Sequence, residues 1–170
     1  VLGNPLDAQT TLGPMVNTKS AQFVREQISA ATAQGARAVV SEHEFAASRI
    51  DSPYLGPTVL LNVDHSMSVM RDESFGPVIG IMKVSGDQEA VALMNDSPYG
   101  LTACLWTQDI ERAAALGHLI ETGTCFMNRC DYLDPSLVWT GVKDTGSGIA
   151  LSELGFGPYI KLKSFHLKHS

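Results

Sequence analysis

Three short motifs in this sequence carry side chains whose types and order suggest ligand recognition. Residues 73–78 read Glu-Ser-Phe-Gly-Pro-Val, residues 123–128 read Gly-Thr-Cys-Phe-Met-Asn, and residues 141–148 read Gly-Val-Lys-Asp-Thr-Gly-Ser-Gly. The Glu73 carboxylate can accept both hydrogens of a vicinal diol, and the flat ring of Phe75 can restrict the sliding of a planar group. Alone, the first motif fits an ordinary turn equally well, with Glu73 solvated and Phe75 in the core.

In this order, the three motifs resemble the C-terminal part of an NAD(P)-dependent aldehyde dehydrogenase, and the resemblance extends from Val1 to the tail. It implies that Glu73 hydrogen-bonds the ribose hydroxyls of the nicotinamide nucleoside and that Phe75 packs beside the nicotinamide ring. The cofactor of the complete enzyme would be NAD or NADP. The nucleophilic cysteine and the catalytic glutamate of the family would lie before Val1, so the resemblance implies a fragment without a catalytic residue of its own.

The residues that follow the predicted strand at 123–128 fall where the family builds its aldehyde tunnel. The resemblance assigns Asp131, Leu133 and Trp139 to the wall of this substrate pocket. Ligands of parallel sheets gather at the carboxyl ends of the strands, and the broad apolar face of Trp139 can exclude water and bind an aldehyde tail. The alternative for Trp139 is an ordinary core position.

One position departs from the family pattern. Lys143 opens a turn that matches the family's Lys-x-Ser/Thr-Gly-x-Gly, but Ile149 and Ala150 replace the Arg-Glu pair that usually follows. In many members that glutamate is thought to help relay a proton to or from the catalytic glutamate, so Ala150 puts the relay in doubt. We expect Lys143 to be structural and to tie the loop to the sheet, because nothing nearby suggests desolvation.

The three cysteines give no catalytic candidate. Cys104 and Cys125 fall in apolar predicted strands, which is typical of inert thiols, and Asp131 beside Cys130 opposes thiolate formation there. Their unequal spacing, without a Cys-x-x-Cys pair, fits reduced thiols in the cytoplasm better than a disulfide framework. The histidines do not pair with carboxylates at metal-ligand spacing, and no metal is expected.

The composition narrows the class of partner. The 170 residues are 44% hydrophobic with a net charge of −6, and no basic block offers nucleic-acid phosphates a surface. No apolar run approaches the length of a membrane span. The composition therefore predicts a globular protein that binds neither nucleic acid nor a membrane, and the resemblance implies a small-molecule aldehyde and other copies of the chain as partners.

The hydrophobic pattern predicts an α/β fold built from parallel-sheet β-α-β units, of the aldehyde dehydrogenase catalytic-domain type that the resemblance implies. A helix capped by Asn17 or Thr18 ends at Gly35, and the apolar run 78–84 is expected to be a strand buried on both faces. Further elements are predicted in the following order: strands at 38–40 and 58–61, a helix from Asp87, a strand at 101–106, a helix from Asp109 to Ile120 and a strand at 123–128.

The predicted organisation has three segments. Residues 1–148 would form the C-terminal part of the catalytic domain, residues 149–158 a linker helix or turn, and residues 159–170 an oligomerisation strand that pairs with a neighbouring subunit. The resemblance implies that the complete enzyme oxidises an aldehyde to a carboxylic acid and that this chain alone is inactive. Two alternatives stay open, a non-catalytic self-associating scaffold and a fragment of a CoA-acylating relative.

Overall fold

The structure, a computed structural model, describes residues 1–40, 44–130 and 132–169. The chain divides into two compact units, Val1–Lys83 and Val84–Ser170, so the boundary between units falls inside the predicted segment 1–148. Both units contain helices and a parallel strand pair, which confirms the predicted α/β class. Among the described residues, no helix combines the length and the apolar character that crossing a membrane requires.

Helix α1 spans Thr18–Ala33 and begins at the predicted cap. The Asn17 side chain accepts a hydrogen bond of 2.8 Å from the backbone N–H of Ser20, which satisfies one of the donors that a helix start leaves unpaired. Gly35 follows the last turn with a φ of 107°, a left-handed conformation that glycine adopts without steric cost. The spacing of three and four turns one face to the core, and its buried residues are Ala21, Val24, Gln27 and Ala31.

The sheet of the first unit has three strands in the order β1-β2-β3. They are β1 (Arg37–Ala38), β2 (Thr58–Leu61) and β3 (Val78–Ile81), and the short helix α2 (Ser68–Arg71) lies between β2 and β3. β1 runs antiparallel to β2, and β2 runs parallel to β3. Leu60 is fully buried at the centre of the larger apolar cluster, together with Ala31, Ala36, Val63 and Met67.

Strand β3 differs from the predicted strand over 78–84 that is buried on both faces. It ends at Ile81, and Ile79 and Ile81 are 60% and 48% exposed instead of buried. Successive side chains of a strand point to opposite faces, and the core lies on the Val78 face only. The apolar run therefore reflects a strand covered on one side within this unit.

The second unit begins with helix α3 (Asp87–Asn95) and contains the predicted β-α-β connection. Strand β5 (Thr102–Leu105), helix α4 (Ile110–Gly117) and strand β6 (Thr124–Met127) follow in order, and β5 and β6 pair in parallel. The Asp109 side chain caps α4 by accepting a hydrogen bond of 2.9 Å from the backbone N–H of Arg112. α4 ends three residues before the predicted Ile120.

Two short antiparallel ladders form in the second unit. Strand β4 (Tyr99–Gly100) pairs with β8 (Val142–Lys143), and β7 (Trp139–Thr140) pairs with β9 (Ile149–Ala150). A 3₁₀ segment, Glu153–Tyr159, lies where the linker was expected.

The C-terminal tail forms no strand within the single chain over residues 160–169. Its apolar side chains are exposed, from 59% for Ile160 to 94% for Leu162. Pairing of this segment with a neighbouring subunit stays a prediction.

Gln27 gives a test of the core of the first unit. Its side chain is 3% exposed, and neither its amide nitrogen nor its amide oxygen has a hydrogen-bond partner in the described part of the chain. An unpaired buried polar group costs about 1–3 kcal/mol, and Met has a similar volume and helix propensity. We expect Gln27→Met to raise the free energy of unfolding by about 1 kcal/mol or more in urea titrations.

The matched control is Gln22→Met on the same helix, where the amide donates to Glu26 at 3.0 Å in an exposed hydrogen bond. This substitution should change stability little. A lower stability for Gln27→Met than for the unmodified chain would contradict the assignment of Gln27 as unpaired.

Candidate functional site

Glu73 and Phe75 lie in the turn that joins α2 to β3, and both are exposed. Phe75 is 83% exposed and has a φ of 44°, a left-handed conformation that is rare for a bulky residue. Gly76 fixes this turn against α1, since a side chain there would begin 2.9 Å from Cγ2 of Val24. The ring of Phe75 is therefore exposed to solvent, and its backbone conformation is strained. Phe75 is not buried in the core, as the alternative of an ordinary turn would require.

Trp139 lies in a cavity of about 270 Å³ in the second unit. The cavity opens beside the carboxyl end of β6, where three aromatic rings, those of Phe126, Tyr132 and Trp139, contribute to its wall. The remaining lining residues are Thr124, Arg129, Asp134, Leu137, Val138 and Leu151. A small cavity with apolar walls and few charged groups is suited to an organic molecule with one polar end.

The other two predicted pocket residues have different outcomes. Leu133 is 55% exposed, and the cavity is lined by its neighbours Tyr132 and Asp134. Asp131 lies outside the described residues. Sequence reasoning missed Phe126 and Tyr132. For Phe126 the available signal was its position in strand β6, which places its side chain on the side of the Trp139 loop.

Asn128 ends strand β6 and turns the chain toward the cavity. Its φ is 56°, and its side-chain amide forms two hydrogen bonds with the backbone of Thr107, accepting from the N–H at 2.9 Å and donating to the carbonyl at 2.8 Å. These bonds tie the carboxyl ends of β5 and β6 together. Asn adopts the left-handed conformation more readily than most residues, which explains an asparagine at this point.

Two glycines allow backbone segments to meet beneath the cavity. A side chain at Gly123 would begin 1.7 Å from the carbonyl oxygen of Thr140, and one at Gly100 would begin 2.3 Å from the carbonyl oxygen of Glu121. The N–H of Gly123 donates to the carbonyl of Gly100 at 3.1 Å. The close approach of Gly123 to Thr140 brings β7, and with it Trp139, against the start of β6.

Lys143 holds the same region from the other side. Its ammonium group donates to the carbonyls of Asn95 and Ser97 at 2.7 and 3.1 Å and forms an ion pair with Glu121 at 2.7 Å. A cation at the last carbonyls of α3 is also favoured by the helix dipole. These contacts agree with the prediction of a structural lysine, and a Schiff-base role would remove three interactions that connect β8 to the end of α3, to Ser97 and to Glu121.

The cysteines occupy distinct environments within the second unit. Burial, and to a smaller extent the neighbouring Cys104, raises the pKa of the Cys125 thiol, which disfavours a nucleophilic thiolate there. Cys104 donates to the carbonyl of Arg129, and Cys130 is exposed. In the described ranges, no three His, Cys, Asp or Glu side chains come together as a metal site.

The candidate binding groups fall into two sets, one in each unit. Glu73 and Phe75, in the first unit, offer a carboxylate and an exposed ring, and the cavity around Trp139, in the second unit, offers apolar walls. These groups can bind and orient a ligand. Bond making would require a nucleophile and a base, which none of these side chains provides in a favourable environment.

Comparisons with known proteins agree with the resemblance. The family model described as aldehyde dehydrogenase family matches residues 1–165. An aldehyde dehydrogenase of Paenarthrobacter nicotinovorans is 37% identical over 164 residues, which cover 96% of this chain and 35% of that protein.

Two solved structures show the same fold. The succinic semialdehyde dehydrogenase of Streptococcus pyogenes, in complex with NADP+, matches with a TM-score of 0.88 and 33% identity over 99% of this chain and 36% of its own. The betaine aldehyde dehydrogenase of Staphylococcus aureus, in complex with NAD+, matches with a TM-score of 0.84 and 32% identity over 93% of this chain and 32% of its own. The chain thus spans about a third of the length of the relatives it matches.

The contact at Gly123 gives a test of how the cavity is built. In Gly123→Ala the new methyl group would collide with backbone atoms, which cannot rotate away as a side chain can. We expect a loss of about 3 kcal/mol in stability and a red shift of Trp139 fluorescence, measured in a Trp106→Phe background. The control is Gly148→Ala, because nothing lies within 4 Å of a side chain at that position. Equal effects of the two substitutions would show that the close approach is not required.

Proposed function

The chain belongs to the aldehyde dehydrogenase family, and from this premise we propose that it is the C-terminal part of an NAD(P)-dependent enzyme that oxidises an aldehyde to a carboxylic acid. The observation that carries the proposal is the family match over residues 1–165 of a chain that covers only 35% of its Paenarthrobacter nicotinovorans relative. In this proposal the chain supplies binding surfaces, and the nucleophile and the base come from the rest of the polypeptide.

We propose that Glu73 and Phe75 bind the nicotinamide nucleoside. The exposed Glu73 carboxylate can accept hydrogen bonds from both ribose hydroxyls, and the exposed Phe75 ring can limit the positions of the nicotinamide. When bound, NAD or NADP accepts the hydride that leaves the substrate carbon. The strained backbone of Phe75 supports this role, because strain of this kind is retained mainly where function requires it.

We propose that the cavity around Trp139 receives the aldehyde chain. The ring of Trp139 and its aromatic neighbours would exclude water from the carbonyl carbon and orient it. Ala150 pairs with Trp139 across the β7–β9 ladder, so the usual acidic side chain is absent beside this ring. A CoA-acylating reaction is compatible with that absence.

The exposed tail favours a second candidate role, self-association. Residues 160–169 carry Ile160, Leu162, Phe165 and Leu167 in solvent, and an alternating apolar segment can add to a sheet edge of another copy. We propose that the complete protein is a homo-oligomer of the cytoplasm. If the tail acts only in assembly, the chain is a scaffold that binds no nucleotide.

The first test of this function is the activity of the chain by itself. We expect the purified chain to produce no NADH or NADPH from short aldehydes at 340 nm, because thiol and cofactor are not positioned together. An intact relative assayed in parallel verifies the reagents. Steady formation of reduced cofactor by the chain would contradict the division of roles proposed above.

The second test uses a chimera in which the first two thirds of the Paenarthrobacter nicotinovorans relative precede this chain. Since a hydrogen bond to a charged group contributes about 1.5–3 kcal/mol, Glu73→Gln should lower kcat/KM for the cofactor roughly tenfold or more. Glu111→Gln, an exposed carboxylate in the first turn of α4, is the matched control and should leave kinetics unchanged. Equal kinetics of Glu73→Gln and the unmodified chimera would remove Glu73 from the cofactor site.

A further inference from the structure

Two cysteines that are far apart in sequence lie close together at the end of strand β6. The Sγ atom of Cys104 donates a hydrogen bond to the carbonyl oxygen of Arg129 at 2.7 Å, and Cys130 follows Arg129 directly. Covalent geometry places each of these two atoms about 2.8 Å from the adjoining α-carbon, so the α-carbons of Cys104 and Cys130 are at most about 8 Å apart. Disulfides span roughly 4.4–6.8 Å between α-carbons, so at the upper limit of this distance the loop would have to move by about 1–2 Å.

The sheet directs Cys104 toward this loop and Cys125 away from it. In the parallel ladder Cys104 pairs with Phe126, whereas Cys125 pairs with Ala103, and neighbouring positions of a strand point to opposite faces. The sulfur of Cys125 lies on the α4 face, where a side chain on Gly117 would meet it at 3.3 Å. Cys104 therefore has Cys130 as its geometrically suited partner.

The loop is suited to the small movement that a bond would require. Cys130 is exposed and Cys104 is half-buried, so an oxidant in solution meets Cys130 first. The left-handed Asn128, clamped to Thr107, directs the chain back across β5 and keeps residues 129 and 130 near Cys104.

We propose that Cys104 and Cys130 form a reversible intramolecular disulfide when the protein meets a peroxide. The Cys130 sulfur attacks a peroxide oxygen and the O–O bond breaks, and the hydroxide that leaves takes up the thiol proton, which gives a sulfenic acid on Cys130 and one water. The sulfur of Cys104 then attacks the Cys130 sulfur, and the hydroxide that leaves takes the Cys104 proton as a second water. Two thiols are oxidised to one disulfide, and hydrogen peroxide is reduced to two molecules of water.

The bond would tie the loop to β5. Arg129, between the Asn128 clamp and Cys130, lines the cavity around Trp139, and its guanidinium lies 4.2 Å from the centre of the Tyr132 ring. Oxidation thus acts on the wall of this cavity, although formation of the bond depends only on the geometry of the two thiols. The inference stands independently of the function proposed above.

The test is oxidation of the reduced chain with hydrogen peroxide, followed by alkylation and peptide mass spectrometry without reduction. We expect free thiols to fall from three to one, a cross-linked peptide pair that contains Cys104 and Cys130, and full reversal by dithiothreitol. Cys130→Ser, a substitution in an exposed loop, should abolish the cross-link. Cys125→Ser should leave it intact.

Two further experiments test whether the folded structure selects this pair of thiols. Cys104→Ser preserves a donor to the Arg129 carbonyl and should leave Cys130 as a sulfenic acid that dimedone traps. In urea the nearest pair in sequence, Cys125 and Cys130, should instead predominate, since shorter loops close more readily. A Cys104–Cys125 bond, bonds only between chains, or the same pairing in folded and unfolded protein would each overturn the proposal.

Discussion

In the second unit the backbone at Gly123 passes so close to the carbonyl oxygen of Thr140 that no side chain fits between them. The same residue donates to the carbonyl of Gly100, where the next close approach occurs. Backbone contacts of this kind require glycine because a Cβ atom cannot be moved by a rotamer change. They bring the short β4–β8 and β7–β9 ladders against the β5–β6 pair, and every later feature of the cavity follows from that arrangement.

Around this contact, the side chains of Lys143 and Asn128 anchor the backbone, and mostly apolar groups form the wall of the cavity. Lys143 satisfies the last carbonyls of α3 and the Glu121 carboxylate, and Asn128 closes the ends of β5 and β6 through Thr107. Such networks fix a loop more firmly than apolar contacts because each partner left alone would lose a hydrogen bond. The aromatic rings near Trp139 are consequently held by the backbone that surrounds them.

Much of the local structure was predictable from the sequence because it depends on neighbours along the chain. Asn17 and Asp109 cap helices where expected, and Thr58–Leu61 forms the expected strand. The prediction for 78–84 was only partly right, because the core of the first unit covers the Val78 face of β3 and leaves Ile79 and Ile81 exposed. The tail, an alternating apolar pattern by sequence, forms no strand over residues 160–169.

The sequence by itself determined the family and the α/β class, because motifs and hydrophobic periods are local and keep their order along the chain. Only the tertiary structure decided that Phe126 and Tyr132, with Leu133 outside the lining, share a cavity with Trp139, and that Cys104 meets the loop of Cys130. These contacts join residues on different elements. They depend on the direction in which each backbone turn points a side chain. The spacing of residues along the sequence does not specify that direction.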